Sequence, residues 1–247
     1  MQDHFQGKSV VEHLKEAKAK GMSASHEVHG AEMPGHLCAG ADAARECALY
    51  LVLLWILSYA VDLSPKHLFV LLLLFCFGLM LWKGGRSAWL GYMRMQRLHR
   101  LIEEERWEIQ HHRQQERDEL REIYRAKGFE GKLLEEVLDV LMADDNRLLK
   151  VMLEEELGLT LEAYEHPLKQ CTGALIGVCV TTGLCFVGLW IWPAWGLPLA
   201  ATLIMGSTSF LFAHLEKNPI LPALIWNLSL AALVAAAVYF LELGLCG

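Results

Sequence analysis

CTGALIGVCVTTGLCFVGLWIW, residues 171–192, holds no Asp, Glu, Lys or Arg in 22 positions. About 20 apolar residues are what an α-helix needs to cross roughly 30 Å of hydrocarbon. In lipid, every backbone N–H and C=O must be satisfied within the segment, so such a run reads as a membrane-spanning helix. Gly173 and Gly177, four apart, give it a face suited to close helix contact. Working outward, Leu197–Ala213 and Ile220–Leu243 read the same way, and the Trp192-Pro-Ala-Trp-Gly196 turn fits an interfacial aromatic anchor. Upstream, His67–Trp82 is another span, bounded by Lys83-Gly84-Gly85-Arg86. Cys47–Val61 is short for a span unless extended back to Leu37, which draws Asp42, Arg45 and Glu46 into it. The pattern predicts an all-α polytopic membrane protein: five spans, arranged two and then three around a charged helical insert.

Composition agrees. The chain of 247 residues is 54% apolar, with a mean hydropathy of +0.28, and its charge is concentrated before residue 46 and between Lys83 and Lys169. A net charge of −7 excludes nucleic acid as the main partner, since phosphate binding needs a basic face. No nucleophile–base arrangement points to an enzyme, and no prosthetic group is expected. The seven cysteines form no CxxC pair and read as small buried apolar residues rather than disulfides or a soft-metal site; Cys179, Cys185 and Met205 read as packing. The first 20 residues lack the apolar core of a secretory signal. Val10–Ala19 is expected to form a short helix, and the stretch carrying His26, His29, Glu32 and His36 a loop. Lys83, Arg86, Arg94, Arg97, Arg100, Lys169 and Lys217 fall on one side of the spans, which predicts a cytosolic N-terminus and insert. The expected divisions are a cytosolic segment 1–36, spans one and two in 37–86, a cytosolic three-helix domain in 87–168, and spans three to five in 169–247.

The insert carries the informative chemistry. In Ile102-Glu-Glu-Glu-Arg-Trp-Glu-Ile-Gln-His-His-Arg-Gln-Gln-Glu-Arg-Asp-Glu-Leu120, Glu105 and Glu108 share a helix face, and Glu116 and Glu119 repeat the spacing eleven residues on. Eleven residues are close to three turns, so a continuous helix aligns both pairs on one stripe, with His112 between them. Four carboxylates and an imidazole suit Mn²⁺, Fe²⁺ or Zn²⁺. Along a straight helix, however, Glu105 and Glu119 lie about 21 Å apart. Either several ions bind, or the helix bends, or a second helix or subunit completes each site. The alternative is a solvated helix in which Arg106, Arg113, Arg117 and Arg121 neutralise the acids. Beyond Gly128–Gly131 comes an amphipathic helix, Lys132–Met142; Asp144-Asp145-Asn146 then caps a last helix ending at Gly158. That last helix sets Met152 beside Glu156, a thioether next to a carboxylate, which favours a softer ion such as Fe²⁺ over Mg²⁺ or Ca²⁺.

Glu116-Arg-Asp-Glu-Leu-Arg-Glu-Ile-Tyr-Arg-Ala-Lys-Gly-Phe129, Met152-Leu-Glu-Glu-Glu-Leu-Gly-Leu159 and His166-Pro-Leu-Lys169, together with the five-span layout, resemble the vacuolar iron transporter family. The resemblance runs from about Gly91 to Gly188, weakens in the last two spans and is poor in the first two. It implies a homodimer that exchanges metal for protons, with insert ligands Glu105, Glu108, Glu116, Glu119, Met152 and Glu156. Leu153 stands where the family often has a second Met. Arg113 stands where the family often breaks the helix with Pro, which predicts a helix that runs on. The family's Asp-Gly pair in span one is matched only by Asp42-Ala43, and Arg86–Tyr92 lacks the Met of its Ser-Met-Gly run.

Asp42 and Glu46 are i,i+4 near the start of span one. Charges within a membrane are costly and usually mark a pathway, so these two are the candidate acceptors of an ion collected by the insert. The expected function is export of Fe²⁺ or Mn²⁺ from the cytosol in exchange for protons, across a plasma or organelle membrane. The alternatives are a membrane-anchored metal sensor or buffer, and a structural membrane protein with a coiled-coil partner.

Overall fold

The computed structural model describes residues 12, 15, 34–158 and 166–246. The N-terminal segment 16–33, with His26, His29 and Glu32, lies outside them, as does most of the expected helix Val10–Ala19. The described residues form eight helices and no strand: α1 (Gly35–Ala60), α2 (Pro65–His111), α3 (Arg113–Ala126), α4 (Gly131–Met142), α5 (Asp145–Glu155), α6 (Pro167–Ile191), α7 (Gly196–Leu215) and α8 (Ile220–Cys246). They fall into two compact units. One holds the described residues of Met1–Gly30 and Met93–Tyr164, the other those of Ala31–Tyr92 and Glu165–Gly247.

The second unit contains the apolar helices. α1, α2, α6, α7 and α8 are each long and apolar enough to cross a membrane; even α7, at 20 residues, reaches about 30 Å. The chain is an all-α polytopic membrane protein. α1 starts at Gly35, so Asp42, Arg45 and Glu46 do lie inside the first long helix. α6 starts where its sequence dictates: Pro167 occupies the first turn, where its missing N–H costs nothing, and His166 Nδ1 accepts from Leu168 N at 3.3 Å. Its glycines pack as their spacing predicts. A Cβ on Gly173 would lie 2.0 Å from the His36 carbonyl oxygen, and one on Gly177 would lie 2.1 Å from that of Gly40. α1 and α6 therefore touch backbone to backbone. Around that crossing Cys47, Ala48, Leu51, Leu72, Ala174, Val178, Leu197 and Ala201 form the core, while α8 leaves its apolar stretch unburied by the rest of the chain, as lipid contact allows.

At Lys83-Gly84-Gly85-Arg86 the apolar run ends but the helix does not: α2 runs on to His111, with its apolar part before Lys83 and a charged extension after it. Gly84 is a packing position rather than a breaker, since a Cβ there would meet Leu175 Cδ2 at 2.9 Å.

The first unit is the insert. Leu98, Leu101, Ile109, Leu120, Leu134, Leu138, Leu148, Met152 and Leu153 close its core. α3 ends because Gly128 takes φ +92°, and Phe129 N returns to the Tyr124 carbonyl at 3.1 Å. α5 begins at Asp144, whose carboxylate accepts from Arg147 N at 2.8 Å.

A buried carboxylate cluster in the helical insert

The helix carrying the Glu pairs does not run on through Arg113. It breaks at His112, which takes φ −126° and ψ 29° between α2 and α3. No proline is needed. His112 N still reaches the Glu108 carbonyl at 2.7 Å, and its own carbonyl accepts from Gln115 N and Glu116 N, which starts the new helix. Arg113 secures the new direction, donating to Asp145 at 2.6 Å and to the Met142 carbonyl. The residue that predicted continuity thus fastens the break to the turn between α4 and α5.

The break changes the geometry of the acids. On a straight helix Glu105 and Glu116 would be about 16 Å apart along the axis. Here Glu105, Glu116 and Glu156 each offer a carboxylate oxygen within 4.8 Å of the other two. Glu119 hydrogen-bonds Glu156. Glu116 and Glu119 are 1% exposed, Glu105 and Glu156 3%. Glu116 and Glu119 occupy the inward face of α3 beside Leu120, where an amphipathic helix ordinarily places leucine. A buried ionised carboxylate is strongly disfavoured. Burial, followed by the Glu156, Glu108 and Glu119 charges, pushes the Glu105 carboxyl up to about 9. Burial, with Glu105 next, pushes Glu116 up to about 11. Burial pushes Glu119 up to about 8 against the opposing hydrogen bond from Glu156. The cluster therefore holds protons at neutral pH.

The arginines are engaged with other acids. Arg106 meets Glu103 at 3.1 Å, Arg117 meets Glu135 at 3.0 Å and Asp139 at 2.6 Å, and Arg121 meets Asp118 at 2.5 Å and Glu135 at 3.1 Å. The solvated-helix reading expected them on the stripe acids. Instead Arg117 and Arg121 lace the outer surface of α3 to α4, Arg106 pairs along its own helix, and the inner acids face one another.

Of the other insert candidates, Glu108 is half-buried and acts on Glu105 and Glu116 through its charge. Met152 is fully buried within the leucine core. His112 sits at the break with its ring 5.4 Å from that of Trp107. Asp42 and Glu46 belong to the other unit, where each has a cation: Arg45 at 3.4 Å from Asp42, and Lys83 on Glu46, to which Tyr50 also donates at 3.5 Å. Lys83 is the neighbour of Glu46 that sequence reasoning missed. It reads as a topological flank, and only the packing of α2 against α1 turns its buried ammonium onto Glu46.

Three buried acids from two sequence segments, Glu105, Glu116 and Glu156, bring carboxyl oxygens together in a hard-oxygen arrangement that could hold a dication. A search of curated proteins and one of solved structures each return no significant match. The model of the VIT family matches residues 92–243, more than half of the chain and including α3 to α7 in full. The chain belongs to the VIT family, whose members transport metal ions across membranes.

Proposed function

We propose that the chain moves a divalent metal ion, Fe²⁺ or Mn²⁺, out of the cytosol in exchange for protons, and that Glu105, Glu116 and Glu156 collect the ion, with Glu119 and Glu108 beside them. The observation that carries this reading is the approach of three buried carboxyl oxygens to within 4.8 Å. Metal and proton compete for the same oxygens. A dication entering the cage displaces two protons and leaves the net charge of the interior unchanged, so the site exchanges one for the other without burying a new charge. Met152, on the helix that ends at Glu156, supplies the softer ligand that favours Fe²⁺. The positive flank of the spans puts the insert and the N-terminus in the cytosol, and the protein works as a homodimer.

Uptake of Mn²⁺ into proteoliposomes tests the proposal. Glu116→Gln, isosteric with the protonated acid, is expected to leave the fold intact and to lower uptake at least tenfold. Uptake equal to that of the unaltered chain overturns it. A second reading, a membrane-anchored metal sensor or buffer, draws on one observation: Asp42 and Glu46 are each occupied by a cation of the chain itself. It predicts Mn²⁺ binding in detergent that Glu116→Gln weakens, with no uptake by either form.

A further inference from the structure

The cysteines do more than the sequence pattern allots them. Cys47, midway along α1, is completely buried, and its thiol hydrogen-bonds that of Cys76 in the apolar part of α2. Cys76 is 3% exposed. The Thr182 hydroxyl of α6 lies 3.8 Å from Cys47 Sγ and hydrogen-bonds Cys76 as well. Thr182 donates its own proton to the Val178 carbonyl at 2.8 Å, which leaves its lone pairs for the two thiols. Cys185, one helical turn further along α6, is 1% exposed and is also close enough to act on Cys76 electrostatically. A second sulfur pair continues the seam. Cys179 Sγ of α6 approaches Met80 Sδ of α2 at 3.5 Å, and each sits about a turn from the first group. All these cysteines are free thiols.

We infer that Cys47, Cys76 and Thr182, with Cys185 adjoining, form a second metal site within the spans, one that takes a thiophilic divalent cation of the Zn²⁺ or Cd²⁺ class. Three helices bring the ligands together, so the site is pre-formed by the packing of α1, α2 and α6. Two thiolates on one tetrahedral ion stand roughly 3.8 Å apart, given metal–sulfur bonds of about 2.3 Å. Charge also selects the stoichiometry. Two thiols release two protons to solvent and become two thiolates, which one dication neutralises. The complex is then as neutral as the protonated pair it replaces, which a low-dielectric interior demands. The Thr182 oxygen adds a third, neutral donor beside the two sulfurs. The site shares no residue with the carboxylate cluster and holds whether or not that cluster collects metal.

Titration of the full chain in detergent with Cd²⁺, followed by the ultraviolet sulfur-to-cadmium charge-transfer band, reads thiolate ligation alone and is blind to carboxylates. The expected result is a band that saturates at one Cd²⁺ per chain, is lost in Cys47→Ser and in Cys76→Ser, and persists in Cys38→Ser and Cys171→Ser. It also persists in Glu116→Gln, which separates this site from the insert. No band in the unaltered chain overturns the inference without any variant having to fold. A band retained in both Cys47→Ser and the milder Cys47→Ala also overturns it.

Discussion

Raising the pH should strengthen metal binding by the insert steeply, and the structure sets the size of the effect. With carboxyls at about 9, 11 and 8 for Glu105, Glu116 and Glu119, the cluster is protonated at neutrality. Ionising Glu105 at pH 7 costs about 2.7 kcal/mol, and Glu119 about 1.4 kcal/mol, at 1.36 kcal/mol per pH unit. Metal must displace these protons. Each proton displaced makes the dissociation constant fall about tenfold per pH unit while the pH stays below that carboxyl's own value. For two protons the affinity for Mn²⁺ rises about a hundredfold per unit between roughly pH 6 and pH 8. Isothermal titration calorimetry of the full chain with Mn²⁺, in two buffers of different ionisation enthalpy, counts the protons directly. About two released per ion is the expected count. An affinity that moves less than about threefold across that interval, with heats independent of buffer, would refute the picture of a protonated cage. The carboxylates would then already be ionised, as solvent-facing acids are.

The same groups govern the metal-free protein. Their folded values lie above the unfolded value near 4.5, so the folded state holds protons that the unfolded chain releases. Stability is therefore full below about pH 4.5 and is lost as pH climbs toward 8 and beyond, by about 1.4 kcal/mol per unit for each carboxyl held protonated. Thermal melts of chelator-treated protein should fall with rising pH, and Mn²⁺ should restore them; melts that rise with pH would contradict this. Arg113→Ala removes the tie to Asp145 and the Met142 carbonyl, and is expected to weaken Mn²⁺ binding about tenfold, or 1.4 kcal/mol, while leaving the Cd²⁺ band of the spans in place. Gly177→Leu drives a side chain into the Gly40 carbonyl, which a bare Cβ already meets at 2.1 Å. It should destabilise the apolar unit by at least about 1–3 kcal/mol in detergent unfolding, whereas Gly183→Leu, where a Cβ meets nothing within 4 Å, should be tolerated.

What the sequence determined by itself is the set of features that depend on local chemistry. An apolar run such as residues 171–192 has few options but a spanning helix, because backbone polar groups in lipid must pair within the segment. Asp144 caps because a carboxylate three residues from a free N–H reaches it, and Gly173 and Gly177 announce a close crossing because nothing projects from them. Glu105, Glu116 and Glu156 were legible as acids with ligand chemistry. Their convergence was not. On one helix the stripe spreads over about 21 Å, and the turn at His112 has no local signal: it is held by Arg113 reaching residues 29 and 32 positions away. The same holds for Lys83, which meets Glu46 only through the packing of two helices, and for Cys47, Cys76 and Thr182, each unremarkable in its own helix. Periodicity reports which face a residue occupies on its own helix. Only tertiary packing decides which residues from other helices share that space, and at both candidate sites the chemistry comes from that choice.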